Sequence, residues 1–308
     1  MKKEYLLGLL TVLLWSTSAT AFKLTLGYMD PVQLLFYATL ASTVVVWAIL
    51  AVQGKAMLIF SLKPREYRIF LVLGFLNPFV YYLMLFKAYA LLPAQVAQPI
   101  NYTWPVMLSL LSVPLLRQRL TRIDLTATLV CYSGVVLVST KGSLAGFRSL
   151  DPIGIILAVS CTVIWALYWI CSIRIQAEPI VGLFLCFVFS LPFTAASCIL
   201  FSQLWLPDVM GLPGAVWVGC FEMGITFVTW LTALKLSDNA GRVANLIFLT
   251  PFVSLVFIRF LLGETIYVTT FAGLALIVSG LLMQKVTAPL SGDHHESRQL
   301  RRKKKSRF

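Results

Sequence analysis

Apolar stretches of about 20 residues recur along the whole chain, each bounded by short links rich in charge, glycine or proline. A helix rises 1.5 Å per residue, so about 20 residues cross the ~30 Å hydrocarbon core of a bilayer. The pattern predicts ten spans, at 5–22, 32–52, 69–88, 94–116, 124–140, 152–173, 180–202, 214–234, 240–262 and 266–285. The links are too short to hold a soluble domain, so the expected fold class is all-α and integral to the membrane.

The two halves of the pattern say nearly the same thing. Leu14-Trp15-Ser16 in the first span is answered by Ile164-Trp165-Ala166, 150 residues later. Pro105 and Ser133-Gly134 are answered by Pro251 and Ser279-Gly280, both at an offset of 146. Five spans enter the bilayer on one side and leave on the other, so a second copy must be inserted upside down. The expected architecture is therefore ten transmembrane helices as two inverted five-helix repeats. Residues 1–145 and 146–286 form the repeats, and 287–308 a disordered polybasic tail. Inverted repeats around a midplane site are the architecture of secondary transporters.

Composition agrees with a membrane solvent: 59% of the residues are hydrophobic and 12% charged, against roughly 25% charged in soluble domains. The net charge of +13 reads as topology. With the N-terminus in the cytoplasm, 20 of the 25 basic residues fall in cytoplasmic links and tail, leaving Lys23, Lys87, Lys141, Arg148 and Arg259 on the other side. Both termini are thus expected in the cytoplasm. A nucleic-acid partner is not expected, because the charge lies between apolar spans with no basic folded surface. The tail run Arg301-Arg302-Lys303-Lys304-Lys305 reads as a solvated topology anchor, with anionic lipid as the alternative partner.

Lys2-Lys3, the apolar run from Leu6 to Trp15 and Ala19-Thr20-Ala21 have the form of a signal peptide. The repeat makes this segment the counterpart of the sixth span, so an uncleaved first helix is expected. The six cysteines fall inside spans with no C-x-x-C pair, and His294 and His295 stand alone in the tail. No metal site, cofactor or disulfide framework follows. Neither H-E-x-x-H, G-x-S-x-G nor a phosphate loop is present, and no histidine lies in a span. Enzymatic chemistry and ATP-driven pumping by this chain are not expected.

Polar residues deep in a span are costly unless they face protein or water. Glu222 in the eighth span stands out. Aligning Ala88 with Ala233 sets it opposite Asn77, just before Pro78. Asn77 and Tyr81, and likewise Glu222 and Thr226, are four apart and share a helical face. In the fourth span Gln98, Asn101 and Pro105 share a face beside Trp104; in the ninth, Asn245 and Thr250 stand near Pro251. Pro105 and Pro251 are expected to break their helices at mid-membrane and to free carbonyls there. Packing between helices would explain such polar groups equally simply, but their clustering beside a proline in both halves favours a cavity lining. Trp15 and Trp165 lie near mid-span, unlike the interfacial anchors Trp47, Trp205 and Trp217, and suit a wall for planar or apolar substrates. The expected lining is Trp15, Asn77, Tyr81, Gln98, Asn101, Trp104, Trp165, Tyr168, Glu222, Thr226 and Asn245. Glu222 is the candidate for proton coupling or for binding a substrate ammonium.

The chain resembles the EamA family of the drug/metabolite transporter superfamily from about residue 5 to 285. The resemblance rests on Trp15 and Trp165, on Lys23 eight residues after the former, and on Gly219, Phe221, Trp230, Ala233 and Leu234. Thr250-Pro251, Leu262-Gly263-Glu264 and the closing Ser133-Gly134 and Ser279-Gly280 complete it. Asn101-Tyr102-Thr103-Trp104-Pro105 is also similar to the N-Y-x-W-P stretch of an aromatic amino acid exporter of that family. The resemblance implies a ten-helix carrier in the bacterial inner membrane, exporting small metabolites or amino acids by alternating access. Two positions depart from the family pattern: Arg117-Gln118 stands where Gly-Glu is common, and Glu222 where a small residue is usual. The alternatives are an efflux pump for lipophilic cations and a non-transporting scaffold or lipid-handling protein. The expected partners are a small-molecule substrate and the bilayer, with monomer and homodimer both compatible.

Reporter fusions should place both termini in the cytoplasm and the Lys141–Leu150 loop outside. A periplasmic C-terminus would refute the ten-helix reading.

Overall fold

The structure, a computed structural model, describes residues 2–116, 121–140, 150–172, 175, 177–203, 208–237, 243 and 245–287. The basic tail, most of the Lys141–Leu150 loop, Arg117-Gln118, Trp205 and Arg242 lie outside the described residues, as does the side chain of Asn245. Every regular element described is helical. That follows from the solvent, since hydrocarbon offers no partner to a backbone N–H or C=O and a helix pairs them within the segment.

In chain order the helices are α1 (Lys3–Thr25), α2 (Pro31–Val52), α3 (Pro64–Leu91), α4 (Ala94–Asn101), α5 (Trp104–Leu116) and α6 (Arg122–Thr140). The second half brings α7 (Pro152–Ser172), α8 (Pro179–Phe201), α9 (Leu212–Leu236), α10 (Thr250–Leu261) and α11 (Val268–Thr287). Seven of them are long and apolar enough to cross a membrane unaided: α1, α2, α3, α6, α7, α8 and α9. The apolar stretches Leu246–Leu261 and Val268–Met283 are shorter. The expected 94–116 span is two helices, α4 and α5, with Pro105 in the first turn of the second. In the other half a 3-10 turn, Asn245–Leu249, leads into α10, whose first turn holds Pro251. Proline lacks the N–H that a helix interior needs but fits a first turn, so each helix restarts at its proline.

Two helices carry a wider turn at matching places. In α3 residues Phe75–Val80 wind as a π-helix, and Asn77 before Pro78 leaves helical geometry at φ −144° and ψ 119°. In α9 residues Val218–Gly224 do the same, between Gly219 and a Gly224 with φ −98° and ψ −89°. Asn77 and Glu222, 145 apart in sequence, occupy these two segments. A π turn breaks the 3.6-residue period, so residues four apart there no longer share one stripe.

The neighbours of each helix recur in the other half. α1 packs on α9 and α10, while α7 packs on α3 and α5. α2 lies along α8 and against the π segment of α9, and α8 lies along α2 and against α3. α6 and α11 form a pair of their own. In that pair a Cβ on Gly134 would stand 2.5 Å from the Gly273 carbonyl, and one on Gly280 2.7 Å from the Ala127 carbonyl. These four positions exchange under the 146-residue offset, as do Cys131 and Ile277, whose Sγ and carbonyl oxygen lie 3.3 Å apart. Small residues let the backbones approach this closely, which is how helices associate where lipid removes the hydrophobic drive.

The α2–α8 pair is clamped at both ends by carboxylates at helix starts. Asp30 accepts from the Val32 and Gln33 amides at 2.8 and 3.0 Å, and the Ser202 hydroxyl donates to its other oxygen. At the opposite end Glu178 accepts from Ile180 N at 2.7 Å and from Lys55 Nζ at 2.6 Å. Burial raises the Glu178 pKa, but the Lys55 ammonium and the backbone N–H groups outweigh it and hold the carboxyl below its ordinary value.

Gly134→Leu or Gly280→Leu should separate α6 from α11 and destabilise the protein by ~1–3 kcal/mol, the usual cost of overpacking. Ser133→Leu, on the exposed face of α6, should be near neutral. Thermal unfolding in detergent would rank the three.

A depressed carboxyl pKa stabilises above its unfolded value, ~4.3 for glutamate, and that stabilisation is lost as pH falls through the folded value. Glu178→Gln should therefore lower stability at pH 7 by about 1 kcal/mol or less. The gap from the parent protein should close below the ordinary carboxylate range, read from unfolding temperatures across pH.

Candidate functional site

The π segment of α9 turns Glu222 toward α1 and α3. Ser18 Oγ donates to its Oε2 at 2.5 Å and the Tyr82 hydroxyl to its Oε1 at 3.1 Å. Trp15 Nε1 donates to the Glu222 carbonyl at 3.2 Å. Trp15 and Ser18 are three apart on α1 and share a face, so one helix ties both the backbone and the carboxylate of this turn. The carboxylate keeps further acceptor capacity, and the residue is only partly buried. No described Lys, Arg or His side chain forms an ion pair with it.

Beside the carboxylate runs a continuous aromatic wall. Trp15 meets Phe227 edge-on at 5.3 Å and Trp230 at 5.8 Å. Phe227 also reaches Trp165, at 5.8 Å. Trp165 lies 4.7 Å from Tyr81, stacks on Tyr168 at 5.6 Å, and meets Trp104 edge-on at 6.4 Å. Trp104 stacks on Trp169 at 6.4 Å. Phe227 therefore joins the tryptophans of the two halves. Asn101 Nδ2 donates to the Tyr81 hydroxyl at 2.9 Å, while Asn101 Oδ1, Asn77 Oδ1 and Trp169 Nε1 have no hydrogen-bond partner among the described residues.

Of the residues singled out from sequence, Trp15, Tyr81, Asn101, Trp104, Trp165, Tyr168 and Glu222 come together in this connected cluster. Asn77, buried at 4% exposure, stands beside the Tyr168 hydroxyl and makes no bond to Glu222. Thr226 is fully buried and gives its hydroxyl to the Phe221 carbonyl, which the π turn frees. Gln98 is buried in α4, and Asn245 begins the 3-10 turn before α10. Ser18, Tyr82, Phe227 and Trp169 were not on that list. The three-residue spacing of Ser18 from Trp15 and the four-residue spacing of Trp169 from Trp165 were signals in reach. Tyr82 had none, since in a regular helix it points about 100° away from Tyr81.

A second polar set lies at one end of the bundle. Lys23 Nζ donates to the Tyr89 and Leu92 carbonyls at 2.8 and 3.1 Å. The Glu264 carboxylate accepts from the Ala94 and Gln95 amides at 2.8 and 3.2 Å, capping the positive end of α4. Among the described residues no three His, Cys, Asp or Glu side chains gather as metal ligands would.

Such an arrangement, helices broken around a polar and aromatic centre, is that of a membrane carrier. The chain belongs to the EamA-like transporter family, whose model matches it twice, over residues 2–140 and 152–284. It is 29% identical over 242 residues to the aromatic amino acid exporter YddG of Ancylobacter novellus, covering 76% of this chain and 80% of that one. It is 25% identical over 298 residues to an uncharacterized transporter of Clostridium kluyveri, covering 92% and 93% of the two chains. A crystal structure of a protein 25% identical to it superposes with a TM-score of 0.66, covering 92% of this chain and 99% of the other.

Proposed function

We propose that this membrane transporter is a secondary carrier that exports small metabolites such as amino acids across the bacterial inner membrane by alternating access. Its architecture in this reading is ten transmembrane helices as two inverted five-helix repeats, residues 1–145 and 146–286, with both termini cytoplasmic. Support comes from the packing, in which the contacts of α1 with α9 and α10 are repeated by α7 with α3 and α5. Two units that pack on each other's counterparts can rock about a fixed centre, opening one side as the other closes. Pro105 and Pro251 border that centre in this reading, at the points where α5 and α10 restart.

The observation that carries the proposal is Glu222, an acid in mid-span held by both α1 and α3. An acid in such a place is a proton or cation station by default. The titratable groups near it are the phenols of Tyr81, Tyr82, Tyr89 and Tyr102. Proton coupling through Glu222 would drive export from the proton gradient. The Lys23 and Glu264 set would be the closed outer gate of a carrier open toward the cytoplasm.

In proteoliposomes the protein should move members of a metabolite panel, which a scaffold would not. Glu222→Gln should fold, since the amide keeps the size and one acceptor oxygen, yet it should lose uphill transport or its pH dependence while exchange survives. Wild-type transport by this variant at every pH would end the coupling role.

A further inference from the structure

The charge balance of the centre bears on the substrate. Glu222 supplies a carboxylate, and among the described residues its hydrogen bonds come from neutral donors, Ser18 and Tyr82. The described basic side chain nearest along α1 is Lys23, five residues past Ser18, or roughly 7.5 Å farther along the helix axis. It is already held by two backbone carbonyls. Among neutral donors nearby, Trp15 Nε1 is committed to the Glu222 carbonyl, while Asn101 Nδ2 donates to a Tyr81 hydroxyl that keeps its own proton to give. Trp169 Nε1 lacks a partner among the described residues, but neutral indole and phenol donors do not balance an anion. The described cluster therefore carries its charge on Glu222, whose carboxylate keeps lone pairs free for a cation.

An amino acid zwitterion fits this balance poorly. Its carboxylate is one carbon from its ammonium, so seating the ammonium on Glu222 brings two like charges together in a low dielectric with no cation among the described residues between them. An amine without that carboxylate meets only favourable contacts. Its N–H groups pair with the carboxylate, the indole and phenyl faces attract the cation, and an aromatic ring packs along the wall from Trp15 to Trp104.

We infer that the substrate is an aromatic or similarly apolar amine with one positive charge and no free carboxylate, its ammonium on Glu222 and its ring against Trp15, Phe227 and Trp165. This rests on the carrier reading above, keeping its small-metabolite substrate and setting free amino acids aside. It also separates this chain from a relative named as an exporter of aromatic amino acids.

Binding to the purified full-length protein, measured by calorimetric titration, tests it with three ligands of one skeleton: 2-phenylethylamine, phenylalanine methyl ester and phenylalanine. The ester keeps the bulk of the carboxyl group but not its charge, so it separates charge from size. The amine and the ester should both bind ~100-fold more tightly than phenylalanine, the scale of a buried like-charge clash. In Glu222→Gln that preference should collapse, because the clash and the attraction vanish together. Phenylalanine binding as tightly as its ester, or a preference undiminished in the variant, would overturn the inference. So would failure of all three to bind. In each case the carrier reading stands if other metabolites are moved in proteoliposomes, and falls only if none is. Should the variant not fold, the wild-type comparison of ester with acid decides alone.

Discussion

The bilayer offers no hydrogen-bond partner to an exposed backbone group, and every feature of this protein is shaped by that constraint. It makes the described elements helical and dictates where a helix can be interrupted. The carbonyl freed in α9 is met by the Thr226 hydroxyl, and that of Glu222 by the indole of Trp15. The start of α4, whose first amides have no partner within the helix, is closed by Glu264 from across the bundle. Irregular backbone survives inside the membrane where protein groups complete it.

The same constraint governs packing. Lipid tails are as apolar as leucine, so helices associate by fit and by hydrogen bonds. The α6–α11 pair approaches through Gly134, Gly273 and Gly280. Where α2 meets α9, Ser42 donates to the Gly219 carbonyl at 2.9 Å. Gly74 of α3 sits against the backbone of Cys186, as Gly219 of α9 sits against that of Ala38. These glycines allow the π segments to lie close to α8 and α2. Small residues thus do for the position of Asn77 and Glu222 what a close-packed core does in a soluble protein.

Chemistry is concentrated where the two halves meet. Glu222 comes from α9, its donors from α1 and α3, and the aromatic wall from α1, α3, α5, α7 and α9. A relative movement of the halves would change the partners of the carboxylate and the faces open to a ligand together.

From sequence alone, the apolar runs, the offset of about 146 residues and the loop charges indicate membrane helices in two related halves, because these are sums over many residues and tolerate local error. The prominence of Glu222, Trp15 and Trp165 is legible for the same reason, since a polar or indole group in mid-span stands against an apolar background. What a one-dimensional pattern does not carry is the register of an interrupted helix. The π turns in α3 and α9 shift the faces of everything after them, which sets Thr226 on a backbone carbonyl and brings Tyr82, rather than Tyr81, to the carboxylate. Nor does it carry the choice of Phe227 as the link between Trp15 and Trp165. Contacts between residues some 200 positions apart depend on how closely backbones approach, and only the tertiary structure decides that.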